Sequence, residues 1–218
     1  MLSIAADCQA PATRRYNPET DALTALGVQT RFDRDDEIYA QGDEAEYVYR
    51  VVAGVVRTSR LTSDGRRQIE GFYYPGEMIG LEDPEQHCFS AEALTDCTVL
   101  AIRRRLLESE AERNAEISRL LWLAGSSRMR RMQSHLLQIG RKTALERVAA
   151  ILADLSSRDA SEEVELPMSR QDIADYLSLT IETVSRMLSQ LQTSKIITLT
   201  GLRRLRVSNQ MALQRLAA

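Results

Sequence analysis

Regularly spaced glycines constrain the fold of the first half of this chain more than any other sequence feature does. Between residues 30 and 103, they separate short segments that are rich in β-branched and aromatic residues. The glycines are Gly42, Gly54, Gly65, Gly76 and Gly80, at intervals of 12, 11, 11 and 4 residues. Because glycine allows tight turns and bulges, the pattern predicts an antiparallel barrel or sandwich. The predicted strands are 37–39, 47–52, 55–61, 67–74 and 97–102.

The pattern changes to a helical period after about residue 104. No proline occurs between Pro84 and Pro167, so a long helix over 106–140 is allowed. We interpret its apolar stripe as a dimer interface between two copies of the helix; the alternative is packing against the chain's own β domain. The stripe consists of Ile117, Leu120, Leu121, Ala124, Met132, Leu136 and Ile139. Further helices are predicted at 21–26 and 143–156, and a polar loop at 157–165.

Residues 169–192 match a helix-turn-helix pattern. Ser169 and Asp172 can cap a first helix, and Thr180 can cap a second helix that runs to about residue 192. Ser178 lies in the turn, where the positive φ favours glycine. Strand-like segments at 196–199 and 205–207 predict a β-hairpin wing. Residues expected to pack the two helices together are Ile173, Ala174, Leu177, Leu179, Val184 and Met187.

The outer face of the second helix carries polar side chains suited to reading DNA bases. Arginine can bond guanine in a fork, glutamate can accept from cytosine, and serine can bond several bases. We therefore predict that Glu182, Ser185 and Arg186 read bases; the alternative is a helical hairpin with an ordinary solvated face. Predicted contacts to the DNA backbone are Ser169, Arg170, Thr180, Thr183, Ser189, Lys195, Arg203, Arg204 and Arg206. For the wing arginines, the alternative role is solubility.

The distribution of charge supports DNA binding by the C-terminal part of the chain. The whole chain has a net charge of −3. Residues 166–218 contain seven basic and three acidic residues, a net charge of +4, so the remainder carries −7. An acidic body with a basic C-terminal part is typical of a polyanion-binding module on a carrier domain.

Composition excludes several other classes. The three cysteines, Cys8, Cys88 and Cys97, form no C-x-x-C pair and are too few for an iron–sulfur cluster, and we expect neither a metal nor another cofactor. No secretory signal or membrane span is visible, so we expect a cytoplasmic protein with no membrane partner. The sequence contains no nucleophile–base pair or phosphate loop, which argues against an enzyme. Cys88 and Cys97 are candidate redox thiols; the alternative is an ordinary structural cysteine.

These motifs together resemble the cyclic-AMP receptor protein and fumarate–nitrate regulator superfamily over about residues 20–215. The glycine spacing, the stretch from Gly42 to Glu46 and the segment 179–186 carry the resemblance. It implies an α+β fold with a flexible arm (1–20), an antiparallel β-roll or cupin-like jelly roll (21–105), a dimerisation helix (106–140) and a winged helix-turn-helix domain (141–218). It further implies a homodimer that contacts RNA polymerase and reads a palindrome, TTGA, six base pairs, then TCAA.

Two differences from other members of the superfamily indicate which group this chain resembles. Members that bind cyclic nucleotides have a glutamate and an arginine where this chain has Leu81 and Phe89, so no cyclic nucleotide is expected. Members with an iron–sulfur cluster have several N-terminal cysteines and one in the roll, where this chain has only Cys8 and Leu100. The chain thus resembles the FixK group, effector-free activators of genes for microaerobic respiration and nitrogen fixation. The alternatives are a sensor of an unknown small molecule in the roll, a thiol-based redox sensor, or a protein-interaction module that does not bind DNA.

Overall fold

Two four-stranded antiparallel sheets form the N-terminal domain of the computed structural model, which describes Asn17, residues 21–158 and residues 163–218. In chain order the strands are β1 (Gly27–Phe32), β2 (Glu37–Tyr39), β3 (Tyr47–Ala53), β4 (Val56–Leu61), β5 (Arg67–Tyr73), β6 (Met78–Ile79), β7 (Ser90–Ala93) and β8 (Cys97–Arg103). The sheet orders are β1-β8-β3-β6 and β2-β7-β4-β5. The predicted arm over residues 1–20 lies outside the described residues except for Asn17.

An apolar core fills the space between the two sheets, as the predicted antiparallel roll requires. Alternate residues of the strands point inward, because successive side chains of a strand point to opposite faces. The buried members of the core are Ile38, Tyr39, Val51, Val56, Tyr73, Ile79, Ala91, Ala93, Cys97 and Val99. The α+β fold class and the β-roll are therefore confirmed.

The five glycines that suggested this fold all adopt positive φ angles, between 78° and 92°. Gly54 shows most clearly why no other residue fits. A Cβ atom there would lie 2.4 Å from the Asp96 carbonyl oxygen and 2.6 Å from Cys97 Sγ. The turn between β3 and β4 thus passes too close to the start of β8 to admit a side chain.

Three strands of the roll escaped sequence prediction. β1 is largely exposed, with the burial pattern of an edge strand rather than an alternating one. β6 has only two residues, and β7 reads Ser-Ala-Glu-Ala, which has low β-propensity. These segments are strands because β8, β3 and β4 offer them backbone partners.

The predicted long helix is divided into two. Helix α1 (Arg104–Arg113) and helix α2 (Ala115–Arg141) meet at Asn114, whose φ of −122° and ψ of 106° are extended. The Asn114 side chain accepts a hydrogen bond of 2.9 Å from the Glu116 amide and so caps α2. The single helix predicted over 106–140 is corrected accordingly. With 27 residues, α2 is still about 40 Å long.

The C-terminal domain is a winged helix-turn-helix. Helix α3 (Ala144–Arg158) is followed by β9 (Glu163–Glu165), α4 (Arg170–Leu177), α5 (Ile181–Thr193), β10 (Ile197–Leu199), β11 (Arg204–Val207) and α6 (Gln210–Ala217). The wing has three strands in the order β10-β11-β9. The loop predicted over 157–165 is therefore wrong at its end, where β9 pairs with β11. That pairing joins segments about 40 residues apart, so no local pattern signals it.

The two domains share one hydrophobic cluster. Leu94 of the roll is buried together with the core of the C-terminal domain, and Val55, Phe72 and Tyr74 pack against the same cluster. The ring of Phe72 lies 5.3 Å from that of Tyr176 on α4. Helix α4 thus rests on strand β5 of its own chain, and the outer face of α5 points away from this contact into solvent.

Candidate nucleic-acid interface

The first helix of the helix-turn-helix begins at the predicted capping box. The Ser169 hydroxyl accepts from the Asp172 amide at 3.1 Å, and Asp172 Oδ2 accepts from the Ser169 amide at 2.8 Å. The Ser169 hydroxyl also donates to Asp172 at 2.7 Å. In this arrangement Ser169 caps the helix and its one hydroxyl proton is used within the box, so the phosphate contact, which stays a prediction, would require that hydroxyl to rotate.

The turn between α4 and α5 takes the left-handed conformation that the sequence predicts. Ser178 has φ 54° and ψ 48°, which costs a non-glycine residue about 1 kcal/mol. Hydrogen bonds on either side hold it. The Leu179 amide donates to the Ala174 carbonyl at 2.9 Å, and Arg147 of α3 donates to the Leu177 carbonyl at 3.1 Å.

Packing between α4 and α5 follows the predicted apolar positions. Ile173, Ala174, Leu177 and Val184 are fully buried, and Leu179 and Met187 lie at the edge of the same cluster. With one face of α5 buried in this way, the opposite face projects from the domain.

The outer face of α5 brings the three predicted base-reading residues together. Glu182 and Arg186 are exposed, and Ser185 between them is half-buried. Arg186 donates to the Thr183 hydroxyl at 3.1 Å, and Arg170 of α4 donates to the Ser185 hydroxyl at 3.3 Å. The backbone amide of Glu182 and the Thr180 hydroxyl hold the pKa of the Glu182 carboxyl below its usual value. At neutral pH, Glu182 is therefore an ionised acceptor beside a fork of arginine donors.

Other predicted DNA-contacting side chains surround this face. Thr180 caps α5 by accepting from the Thr183 amide at 3.3 Å. Ser189 and Lys195 are exposed, and the Ser189 hydroxyl donates to the Ser185 carbonyl at 3.0 Å. That hydroxyl must rotate before it can donate to a phosphate.

Two of the three wing arginines lie opposite glutamates of β9, which the sequence pattern did not predict. Arg204 and Arg206 are exposed and Arg203 is half-buried. In the pairing of β11 with β9, Arg204 lies opposite Glu165 and Arg206 opposite Glu163. Directly paired residues share one face of an antiparallel sheet. The wing is therefore less positive than its three arginines alone indicate.

Helix α2 carries an exposed apolar stripe that differs in part from the predicted dimer interface. Trp122 is 75% exposed, Met129 58%, Met132 51% and Leu136 73%. Trp122, Met129 and Leu136 are seven residues apart, as the seam of a coiled coil requires. Trp122 and Met129 were not part of the predicted stripe, although this heptad spacing indicates them.

The first part of the predicted stripe faces the chain's own roll instead. Ile117 is only 2% exposed and is buried with Leu107 and Ile102, so its assignment to the dimer interface is corrected. Leu120, Leu121 and Ala124 are half-buried against the same cluster. Met132, Leu136 and Ile139 remain accessible from outside the chain. Helix α2 therefore packs against the roll through one part of the stripe and exposes the rest to solvent, and the dimer interface stays a prediction.

The positions that mark cyclic-nucleotide binders lie beside a buried group of charged residues. Leu81 packs into the cluster below α2, and the ring of Phe89 lies 5.9 Å from the guanidinium of Arg128. Arg128 pairs with Glu82 at 3.1 Å and with Glu70 at 3.2 Å. This side of the roll is therefore occupied by the chain's own side chains.

The two cysteines in the described region occupy different environments. Cys97 is buried, and its thiol donates to the Val55 carbonyl at 3.2 Å; burial raises its pKa. Cys88 is exposed. Its neighbour His87 stacks on Tyr39 at 3.7 Å, and burial lowers the pKa of His87, so this imidazole is not a cation beside Cys88 at neutral pH.

Within 21–158 and 163–218, no group of three His, Cys, Asp or Glu side chains is arranged to hold a metal ion. None of the helices in that part of the chain combines the length and apolar character needed to cross a bilayer.

Comparison with known proteins identifies the family. The sequence matches the Crp-like helix-turn-helix domain over residues 146–216 and the cyclic nucleotide-binding domain over residues 29–114. It is 45% identical to the nitrogen fixation regulation protein FixK of Azorhizobium caulinodans over 200 residues, covering 89% of this chain and 81% of that protein. FixK of Rhizobium meliloti is 48% identical over 181 residues, covering 83% and 82%.

A solved structure supports the same assignment. FixK2 from Bradyrhizobium japonicum is similar with a TM-score of 0.83 at 43% identity, covering 88% of this chain and 98% of that chain. The chain therefore belongs to the FixK-type group of the cyclic-AMP receptor protein and fumarate–nitrate regulator superfamily, a non-enzymatic family of DNA-binding transcription activators.

Proposed function

We propose that this regulator acts as a homodimer on the palindrome TTGA, six base pairs, TCAA. It does so in the cytoplasm without a cyclic nucleotide or an iron–sulfur cluster, and it recruits RNA polymerase. Its targets are genes of microaerobic or anaerobic respiration or of nitrogen fixation, in keeping with the names of its FixK relatives.

The outer face of α5 carries this proposal. Arg186 forms a bidentate contact with guanine, Glu182 accepts from the cytosine opposite, and Ser185 lies nearer a thymine. All three side chains project from one face, and no apolar residue of the domain core lies among them. Arg170 and Arg204 contact phosphates and set the register of the helix in the groove.

The exposed stripe of α2 supports the dimer. Trp122, Met129 and Leu136 form an apolar seam that water would otherwise cover. Two copies packed along it are related by a two-fold axis. That symmetry requires a palindromic site whose half-site centres lie about 10 base pairs apart.

The interior of the roll supports action without a diffusible effector. Tyr39 and Tyr73 are buried between the sheets, and Arg128 with Glu70 and Glu82 occupies the side facing α2. A ligand on this side would have to displace these groups.

Band-shift titration of protein purified without added ligand tests the proposal. One probe carries the consensus palindrome, and a second has the G·C pair of each half-site changed. We expect reduced protein to bind the first probe much more tightly, with no change on addition of cyclic AMP. Equal binding to both probes would contradict the proposed site. Binding that appears only with an added small molecule, or only after oxidation, would favour the corresponding sensor instead.

Transcription from a promoter that carries the palindrome tests the activator role. We expect purified RNA polymerase to make more transcript when this protein is present. No increase with a bound promoter would contradict recruitment while leaving DNA recognition intact.

A further inference from the structure

A half-buried arginine, Arg128, joins α2 to the roll. The Arg128 guanidinium lies between two carboxylates, with Nε 3.2 Å from Glu70 Oε1 and Nη1 3.1 Å from Glu82 Oε2. The side chains of Arg128, Glu70 and Glu82 are 17%, 11% and 9% exposed. All three side chains are therefore largely, though not fully, shielded from solvent.

The roll holds one of the carboxylates in place. Glu70 Oε2 accepts from the Thr58 hydroxyl at 2.6 Å and from the Tyr73 hydroxyl at 2.7 Å. Glu82 is less satisfied, since its buried Oε1 has no hydrogen-bond partner in the described part of the chain. The two carboxylates thus form an anionic cradle on the roll, and the Arg128 guanidinium occupies it.

A shielded ion pair of this kind is a poor way to stabilise a fold. Moving a guanidinium out of water is unfavourable, and apolar replacements for buried ion pairs are often as stable. Burial disfavours the charge on Arg128, but Glu70 and Glu82 outweigh that effect and raise its pKa. An arginine here fixes geometry, because its planar fork engages both carboxylates in one orientation.

Further contacts link α2 to the roll and to the DNA-binding domain. On the same side of α2, Arg131 pairs with Glu77 at 3.0 Å, and one turn further His135 stacks on Tyr176 of α4 at 4.2 Å. The apolar seam occupies another face of the same helix. A rotation or slide of α2 would therefore move the dimer seam and α4 together.

We propose that Arg128 is a built-in effector: its guanidinium occupies the cradle of Glu70 and Glu82 and holds α2 in the orientation that lets α5 bind DNA. This inference rests on the proposed function, because it concerns how the same DNA-binding surface is kept active. A tethered cation is present at a high effective concentration and cannot diffuse away. The chain then stays in its binding-competent state without a separate ligand.

Chemical rescue tests this idea. Replacing Arg128 by alanine empties the cradle, and we expect affinity for the consensus palindrome to fall about 10-fold or more. Millimolar guanidinium, at constant ionic strength, should restore most of that affinity by binding between the two carboxylates. Urea, which is similar in size but neutral, should not. Arg130→Ala is the matched control, because Arg130 is an exposed arginine two residues along α2, and both additives should leave its affinity unchanged.

The outcomes separate this inference from the proposed function. If wild-type protein fails to discriminate the palindrome, the proposed function fails. If the wild type binds and Arg128→Ala binds equally well, the built-in effector is wrong. A loss of affinity that guanidinium does not restore also overturns it, since a merely structural arginine would behave in that way.

Milder variants cover the case in which Arg128→Ala does not fold. Glu82→Gln keeps a hydrogen-bonding group but removes one carboxylate charge, and Arg128→Lys keeps the positive charge but loses the planar fork that engages both carboxylates. We expect both to remain dimers by sedimentation and to bind the palindrome more weakly than the wild type. Wild-type affinity in both variants would overturn the inference.

Discussion

Arg186 and Arg204 are both exposed arginines of the C-terminal domain, but their surroundings suit them to different tasks. Arg186 lies on α5 beside Glu182 and Ser185, where a groove-bound helix meets base edges. Arg204 lies on the wing opposite Glu165, where we propose that the backbone of DNA passes. The proposed contact of Arg186 would depend on DNA sequence, whereas that of Arg204 would depend on charge.

Replacing Arg186 by alanine should remove discrimination at the G·C pair of each half-site. The expected loss is about 1–3 kcal/mol per half-site, because a bidentate contact disappears. Binding curves on the consensus and on the site with changed G·C pairs measure it. If Arg186→Ala loses the same affinity on both sites, Arg186 is a backbone anchor and the assignment to guanine is wrong.

Replacing Arg204 by alanine should weaken all sequences alike. Each lost phosphate contact should also reduce the slope of log affinity against log salt by about one. The companion variant Glu165→Gln removes the carboxylate opposite Arg204, and we expect it to strengthen binding on every sequence. An unchanged salt slope in Arg204→Ala would assign the wing arginines to solubility.

At the scale of the element, different parts of α2 lie in different environments. Near its start, Ile117 is buried in the chain's own roll. Further along, Trp122, Met129 and Leu136 expose apolar side chains seven residues apart. The helix thus contributes to the fold of the chain and leaves an apolar stripe exposed, which we propose binds a second copy.

Leu136→Glu should separate dimers without unfolding the chain. Leu136 is 73% exposed within one chain, so glutamate there is harmless to the monomer but places two carboxylates in the seam. We expect the dimer dissociation constant to rise about 100-fold, measured by sedimentation. Gln133→Glu, at an exposed polar position, is the control. A Leu136→Glu variant that stays dimeric would locate the interface elsewhere.

At the scale of the whole molecule, ion pairs between the domains hold α4 against β5. Asp172 Oδ1 is 2.7 Å from both Arg57 and Arg67, and Asp175 is 2.8 Å from Arg67. Burial raises the pKa of Asp172, but hydrogen bonds from Ser169 and the two arginines outweigh it, and the net shift is downward. One carboxylate therefore both caps α4 and ties the domains together.

Asp172→Asn should destabilise the protein at neutral pH by about 2 kcal/mol, as expected for lost charge-assisted hydrogen bonds. Because the pKa of Asp172 is lower in the folded than in the unfolded state, its contribution is present above about pH 4 and fades as the pH falls through the folded value. Urea unfolding at neutral and acidic pH should show the gap between wild type and variant closing in acid. Glu112→Gln, at an exposed position, should follow the wild type throughout. A gap that is constant with pH would mean that charge at Asp172 contributes nothing.

Much of this protein follows from local sequence, because the signals act over a few residues. The glycines of the roll mark turns whose φ must be positive, and Ser169 with Asp172 marks the start of α4 through neighbouring backbone amides. The outer face of α5 follows from helical periodicity alone. These features predicted the fold class and the candidate DNA-reading surface.

Tertiary structure decided the rest, where partners lie far apart along the chain. The Arg57–Asp172 pair joins residues 115 positions apart, and the Arg128–Glu70 pair joins residues 58 apart. Strand β9 exists because β11 pairs with it, and Ile117 faces inward because the roll lies beneath it. Sequence periodicity indicates that a helix has an apolar face, but only the packed chain determines what covers that face, since burial depends on which surfaces meet in three dimensions.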